Sequence, residues 1–101
     1  MLSKQDFVAC NALDEQAVAR EMHLLAAHSP GGGPLMSEAE VAEFIRCDPK
    51  TLQNIRHECA EAVPLHTQMP GNRGVVYARH DVLRFVAQRL LLAKARRIHR
   101  L

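Results

Sequence analysis

The sequence predicts a mainly α-helical protein carrying one small β-hairpin, and three observations lead there. A capping signature, Ser37-Glu38-Ala39-Glu40, opens a short apolar-periodic segment, and Asp48-Pro49 opens another a few residues later. Beyond them, Pro70-Gly71-Asn72-Arg73-Gly74 places a dense turn between two stretches of β-forming residues. On either side, residues 4–27 and 79–100 contain no Gly or Pro and read as helices.

Residues 4–27 are rich in Ala, Leu, Glu and Gln, and Val18, Met22 and Leu25 recur at i, i+4 and i+7 to form one apolar stripe. Phe7, Val8 and Leu13 belong to an earlier turn or a separate short helix, with a break near Asn11. A helix this short is marginal alone, so it is expected to dock on the domain that follows or on another subunit. His28-Ser29-Pro30-Gly31-Gly32-Gly33-Pro34 ends it, because three glycines between prolines cannot continue a helix. The expected organisation is a helical segment over 1–28, a linker over 29–34, a compact domain over 35–88 and a basic helical extension over 89–101.

Within the compact domain the Ser37 hydroxyl can accept from a free backbone N–H while Glu40 reaches back to the cap. Val41, Phe44 and Ile45 then form the apolar face of a brief helix ending near Arg46-Cys47. Asp48 caps a second helix, with Pro49 at its first position and Leu52, Ile55 and Cys59 as its buried stripe. Two short helices joined by about three residues make a helix-turn-helix. Pro64 breaks the helical pattern. Leu65–Met69 and Val75-Val76-Tyr77 are expected to pair as strands about the glycine-rich turn. A hairpin in that position is a wing. The last helix starts near Arg79-His80-Asp81 and runs toward Arg100.

Composition excludes several classes. A chain of 101 residues suits one domain, and with 4% aromatic residues its core must be aliphatic. Three cysteines without a Cys-x-x-Cys pair argue against a disulfide framework and fit a reducing compartment. No run approaches the ~18 apolar residues of a membrane span, and Met1–Asp6 is polar, so a soluble cytoplasmic protein is expected. The net charge is only +2, but residues 63–101 hold eight Lys and Arg against Asp81 alone. Residues 1–36 hold two cations against four carboxylates, and residues 37–62 three against six. That asymmetry suggests a polyanionic partner.

Residues 35–88 resemble the winged helix-turn-helix domain shared by MerR-type regulators and phage excisionase-like DNA-binding proteins. The resemblance is carried by Leu35–Ile45, Asp48-Pro49-Lys50-Thr51-Leu52, Gly71–Tyr77 and Asp81-Val82-Leu83-Arg84-Phe85, in the family's order. It implies a DNA-binding protein, either a transcription regulator or an excisionase-like architectural factor, with double-stranded DNA as partner. Such proteins often read two half-sites as homodimers. The family usually carries Arg or Lys along the second helix, where this chain has Gln53, Asn54 and Ile55. That departure, with the acidic stretch 37–62, motivates the alternative: a winged-helix protein-interaction or DNA-packaging adaptor with weak or no sequence-specific DNA binding.

At about 100° per residue, Lys50, Gln53, Asn54 and His57 point away from Leu52, with Thr51 and Arg56 on the flanks. Gln and Asn can bond adenine in a bidentate way, and Lys and Arg favour guanine or phosphate. The expected interface therefore puts Lys50, Gln53, Asn54 and His57 in the major groove and Asn72 and Arg73 at the wing tip. Thr51, Arg56, Arg79 and Arg84 are expected to neutralise phosphates. Tyr77 supports the wing or touches the DNA backbone, its ring partly buried. Leu90, Leu91 and Leu92 exceed one narrow stripe, so the last helix is expected either to pack on the N-terminal helices or to dimerise. His57, Cys59 and His66 match no zinc pattern. A phosphate loop, a His-Glu-x-x-His motif and a nucleophile elbow are all missing from the sequence, so neither catalysis nor a cofactor, metal or small-molecule substrate is expected.

Overall fold

The computed structural model describes residues 13–71 and 74–99, with side chains described as far as Ala95 in the last helix. The chain is mainly helical, with one small three-stranded antiparallel sheet. The elements run α1 (Glu15–Ala26), β1 (Leu35–Ser37), α2 (Glu38–Ile45), α3 (Pro49–Glu58), a 3-10 turn (Ala60–Ala62), β2 (His66–Thr67), β3 (Val76–Ala78) and α4 (Arg79–His99). Phe7, Val8, Cys10 and the proposed break near Asn11 lie outside the described residues.

α1 begins where Asp14 accepts from the Gln16 N–H at 3.0 Å, and Glu15 in its first turn complements the helix dipole. Val18 is buried, with Met22 and Leu25 half-buried along the same stripe. The helix packs against α4, where Leu83 and Ala87 are buried. Of the two expected docking partners, the chain's own last helix takes α1.

The capping box at α2 closes in both directions. Glu40 N–H donates to Ser37 Oγ at 3.1 Å, and Ser37 N–H donates to Glu40 Oε1 at 3.0 Å. The helix stops at Arg46, whose left-handed backbone (φ 60°, ψ 47°) turns the chain while its N–H donates to the carbonyls of Ala42 and Glu43. Asp48 then accepts from the Lys50 N–H at 2.8 Å and Pro49 starts α3. Three residues, Arg46-Cys47-Asp48, separate the helices, as the sequence pattern requires.

Two expectations need correction. Cys59 does not share the buried stripe of α3. It caps the helix end with extended backbone (φ −152°, ψ 91°) and is only half-buried, because the chain turns there to carry Val63 and Pro64 into the protein. The hairpin also proves to be two strands of three. Leu35–Ser37 pairs with β3, in the register Leu35↔Ala78, Met36↔Tyr77, Ser37↔Val76, and β2 pairs with the other edge of β3 through His66↔Tyr77 and Thr67↔Val76. The strand expected over 65–69 shortens to two residues, bracketed by Pro64 and Pro70, which lack the N–H a ladder needs.

The core gathers Met36, Val41, Ala42, Leu52, Val63, Tyr77 and Val82, with Phe44, Ile45, Cys47, Ile55 and Val75 packed against it. It is aliphatic apart from Tyr77, which is fully buried rather than partly so. The His66 ring lies 5.7 Å from the Tyr77 ring, centroid to centroid. α4 follows β3 without a loop, and Arg79 N–H donates to Pro34 O at 2.7 Å, extending the β1–β3 ladder by one bond.

Candidate nucleic-acid interface

Burial of Leu52 fixes the rotation of α3. With that side chain 1% exposed and Ile55 half-buried against the core, Lys50, Thr51, Gln53, Asn54 and His57 are all exposed. This is a polar face of amide, hydroxyl, ammonium and imidazole groups. Its amides can each present a donor and an acceptor side by side, the pattern an adenine edge requires.

The face borders a groove of about 560 Å³ that brings helix and sheet together. Gln53, Arg56 and His57 of α3 line one part, and Gln68 with Gly74-Val75-Val76 of the hairpin line another. Asn72 and Arg73, expected at the hairpin tip, lie outside the described residues.

The four expected phosphate ligands are placed differently from one another. Thr51 is exposed in the first turn of α3. Arg56 instead turns inward: its Nε donates to Glu38 Oε2 at 2.9 Å, and its side chain is 14% exposed against 21% for Glu38. The same carboxylate oxygen accepts the Tyr77 hydroxyl at 2.9 Å. The hydrogen bond to Glu38 raises the Arg56 pKa further, so the guanidinium holds its proton firmly. Arg79 holds the linker: Nε donates to Gly33 O at 2.5 Å, and Nη1 donates to Ser29 Oγ and Pro30 O, both at 2.8 Å. Arg84 forks onto Glu15 at 2.8 and 2.6 Å, which lowers the carboxyl pKa, chiefly through the hydrogen bond, and raises that of the guanidinium.

This pairing revises the meaning of the charge asymmetry. Glu15 meets Arg84 and Glu21 meets Lys94, at 3.1 Å, so acids of α1 answer cations of α4. Arg89 lies over the Phe85 ring, its guanidinium carbon 3.4 Å from the centroid. Sequence reasoning passed over two residues here. Glu38 draws Arg56 inward. Arg46 stands exposed in the turn before α3, where a long cation can reach a phosphate beside the helix. A basic residue between two adjacent helix caps was the available signal for Arg46; Glu38 had none, since its partners lie 18 and 39 residues away.

Among the described residues, no group of three or more His, Cys, Asp or Glu could hold a metal ion, and no helix is long and apolar enough to cross a membrane. Compared with known proteins, the chain matches no family model, no curated protein sequence and no solved structure.

Proposed function

We propose that the protein is a sequence-specific DNA-binding protein of the winged helix-turn-helix kind, a transcription regulator or an excisionase-like architectural factor. One observation carries the reading: α3 exposes Lys50, Thr51, Gln53, Asn54 and His57 on one side, and two of these, Gln53 and His57, line a groove shared with the hairpin. In this proposal α3 enters the major groove and the hairpin lies on the adjacent backbone or groove, with Arg73 at its tip. Gln53 and Asn54 read bases, while Lys50, Thr51 and Arg46 meet phosphates. A homodimer would present two such faces to paired half-sites.

A second reading, a protein-interaction or DNA-packaging adaptor, is favoured by a different observation. Arg56, Arg79, Arg84 and Lys94 all bind groups of their own chain, which reduces the charge open to phosphates. Selection of bound duplexes from a random pool separates the two. The DNA-binding reading expects an enriched motif and an affinity that falls steeply with salt, by about 0.9 log units per decade for each phosphate contact. A pool that shows no enrichment and a flat salt response would leave the adaptor.

A further inference from the structure

A second groove, of about 460 Å³, lies where the chain leaves the 3-10 turn and meets the first turns of α4. Its lining is apolar around Val63, Pro64, Leu65 and Phe85, and Leu65 is 75% exposed. Leu65 also joins Leu35 and Met69, both exposed, in a shallow depression beside the strands, so the apolar surface continues past the groove. Aliphatic side chains left this open hold surface that water covers unfavourably. The charges around the groove sum to an acidic rim. Glu61 and Asp81 line it with Arg84 and Arg89, and Arg84 is already forked onto Glu15, so three carboxylates stand against two guanidiniums. Glu61 is exposed and makes no ion pair among the described residues. An apolar groove edged by carboxylates disfavours phosphates and selects an apolar side chain accompanied by a cation.

The chain itself carries that combination. On α1, Val18, Met22 and Leu25 turn inward, which leaves Ala19, Arg20, His23 and Leu24 exposed on the outer face. Leu24 is 63% exposed, second only to Leu65 among the large hydrophobic side chains of the described residues. Arg20 stands four residues before it, on the same face, and likewise makes no ion pair among the described residues. The inner stripe of α1 is packed on α4, so the outer face turns away from its own chain and meets only another molecule.

We propose that this face of α1 docks into the Leu65 groove of a second copy, seating Leu24 beside Leu65 and Phe85 and pairing Arg20 with Glu61. One such contact is small against the ~1,200–2,000 Å² of a stable interface, so the arrangement is a closed two-fold pair, which makes the contact twice. Neither side of the interface uses the exposed face of α3, so the dimer stands or falls apart from DNA binding.

Sedimentation equilibrium of the full chain, without DNA, tests the pairing. The expected result is a monomer–dimer equilibrium that stops at two copies. Leu24→Gln and Leu65→Gln each spoil the contact twice per dimer, and each should weaken association by at least about 100-fold. Both side chains are exposed, so the circular dichroism spectrum should be unchanged. Mixing the two variants should restore part of the association, because the mixed pair keeps one intact contact. Arg20→Glu should weaken the dimer, and Glu61→Arg added to it should recover it. A chain that stays monomeric at every concentration, or assemblies that grow past two copies, overturns the proposal. So does a dimer indifferent to either leucine, a mixture no tighter than its components, or a charge reversal that the second substitution fails to rescue.

Discussion

The Tyr77 hydroxyl donates to Glu38 Oε2 at 2.9 Å, linking the middle strand of the sheet to the first residue of α2. Arg56 brings α3 to the same carboxylate, so three elements meet at one polar point on the edge of an apolar core. The position of the α3 face relative to the hairpin depends on that point.

Tyr77→Phe deletes a hydrogen bond to a charged acceptor, with an expected loss of about 1.5–3 kcal/mol in denaturant unfolding. Burial, then the Glu38 hydrogen bond, pushes the phenol pKa well above its usual value of 10.0. A proton held more tightly by the folded chain means that stability falls as pH rises above the unfolded value. The alkaline decline should therefore be shallower in Tyr77→Phe. Tyr77 is the single tyrosine, so ultraviolet titration reports it directly; native ionisation near pH 10 would contradict this account.

Arg56→Ala tests whether this guanidinium serves the fold or a ligand. Its removal leaves Glu38 mostly shielded from water with one partner fewer. The expected cost is about 1–3 kcal/mol, between the values for exposed and fully buried pairs. The salt dependence of duplex binding should stay unchanged, and a slope reduced by about one unit would make Arg56 a phosphate ligand after all.

Gln53→Ala and Asn54→Ala should behave in the opposite way. Both side chains are exposed, so the melting temperature should hold, while each substitution costs about 1–3 kcal/mol of preference for the selected duplex, roughly 5- to 150-fold. Lys50→Ala combined with Arg73→Ala should lower affinity across all sequences and flatten the salt response. If duplex affinity is unmoved while a protein partner is lost, the adaptor reading prevails.

Acid should loosen the start of α2. Hydrogen bonds from the Ser37 backbone and then its side chain lower the Glu40 pKa below its usual 4.5. A carboxylate lowered in the fold stabilises fully above the unfolded pKa and loses that contribution as pH falls through the folded one. Thermal scans from pH 6 down toward pH 3 should show a drop that is smaller in Glu40→Gln. Ser37→Ala should cost about 1 kcal/mol at neutral pH.

The linker glycines are not equivalent. Gly31 adopts φ +77°, and an added Cβ would land on Glu40 Oε2 and 3.0 Å from Arg79 Nη2, whereas Gly32 faces open space. Gly31→Ala should cost at least about 1–2 kcal/mol from backbone handedness alone, and Gly32→Ala close to nothing. Equal melting temperatures for the two variants would show that the Arg79 contacts do not hold the linker in solution.

Much of the helical framework was legible because its signals are local. Ser37 with Glu40, and Asp48 with Pro49, announce helix starts within four residues of sequence, and Leu52 sets the rotation of α3 by periodicity. β1 was not legible. Its three residues flow directly into a cap, and their partner strand begins some forty residues later. The fate of the arginines was hidden for the same reason. Arg56, Arg79 and Arg84 find partners 18 to 69 residues away, so a count of basic residues along the chain overstates the charge that faces a ligand. Gln53 and Asn54 needed no such information, since a face opposite a buried leucine is exposed wherever nothing else packs on it.

The order of the strands makes the middle of the sheet the last part to be synthesised. Leu35–Ser37 and His66–Thr67 have no bonds to each other and wait for Val76–Ala78 to come between them. A nascent chain halted before Val76 holds three capped helices and neither ladder, and it also lacks Tyr77 to join Glu38. The sheet therefore closes only once Val76–Ala78 have been made, and α4, starting at the next residue, brings its partner face to the first helix.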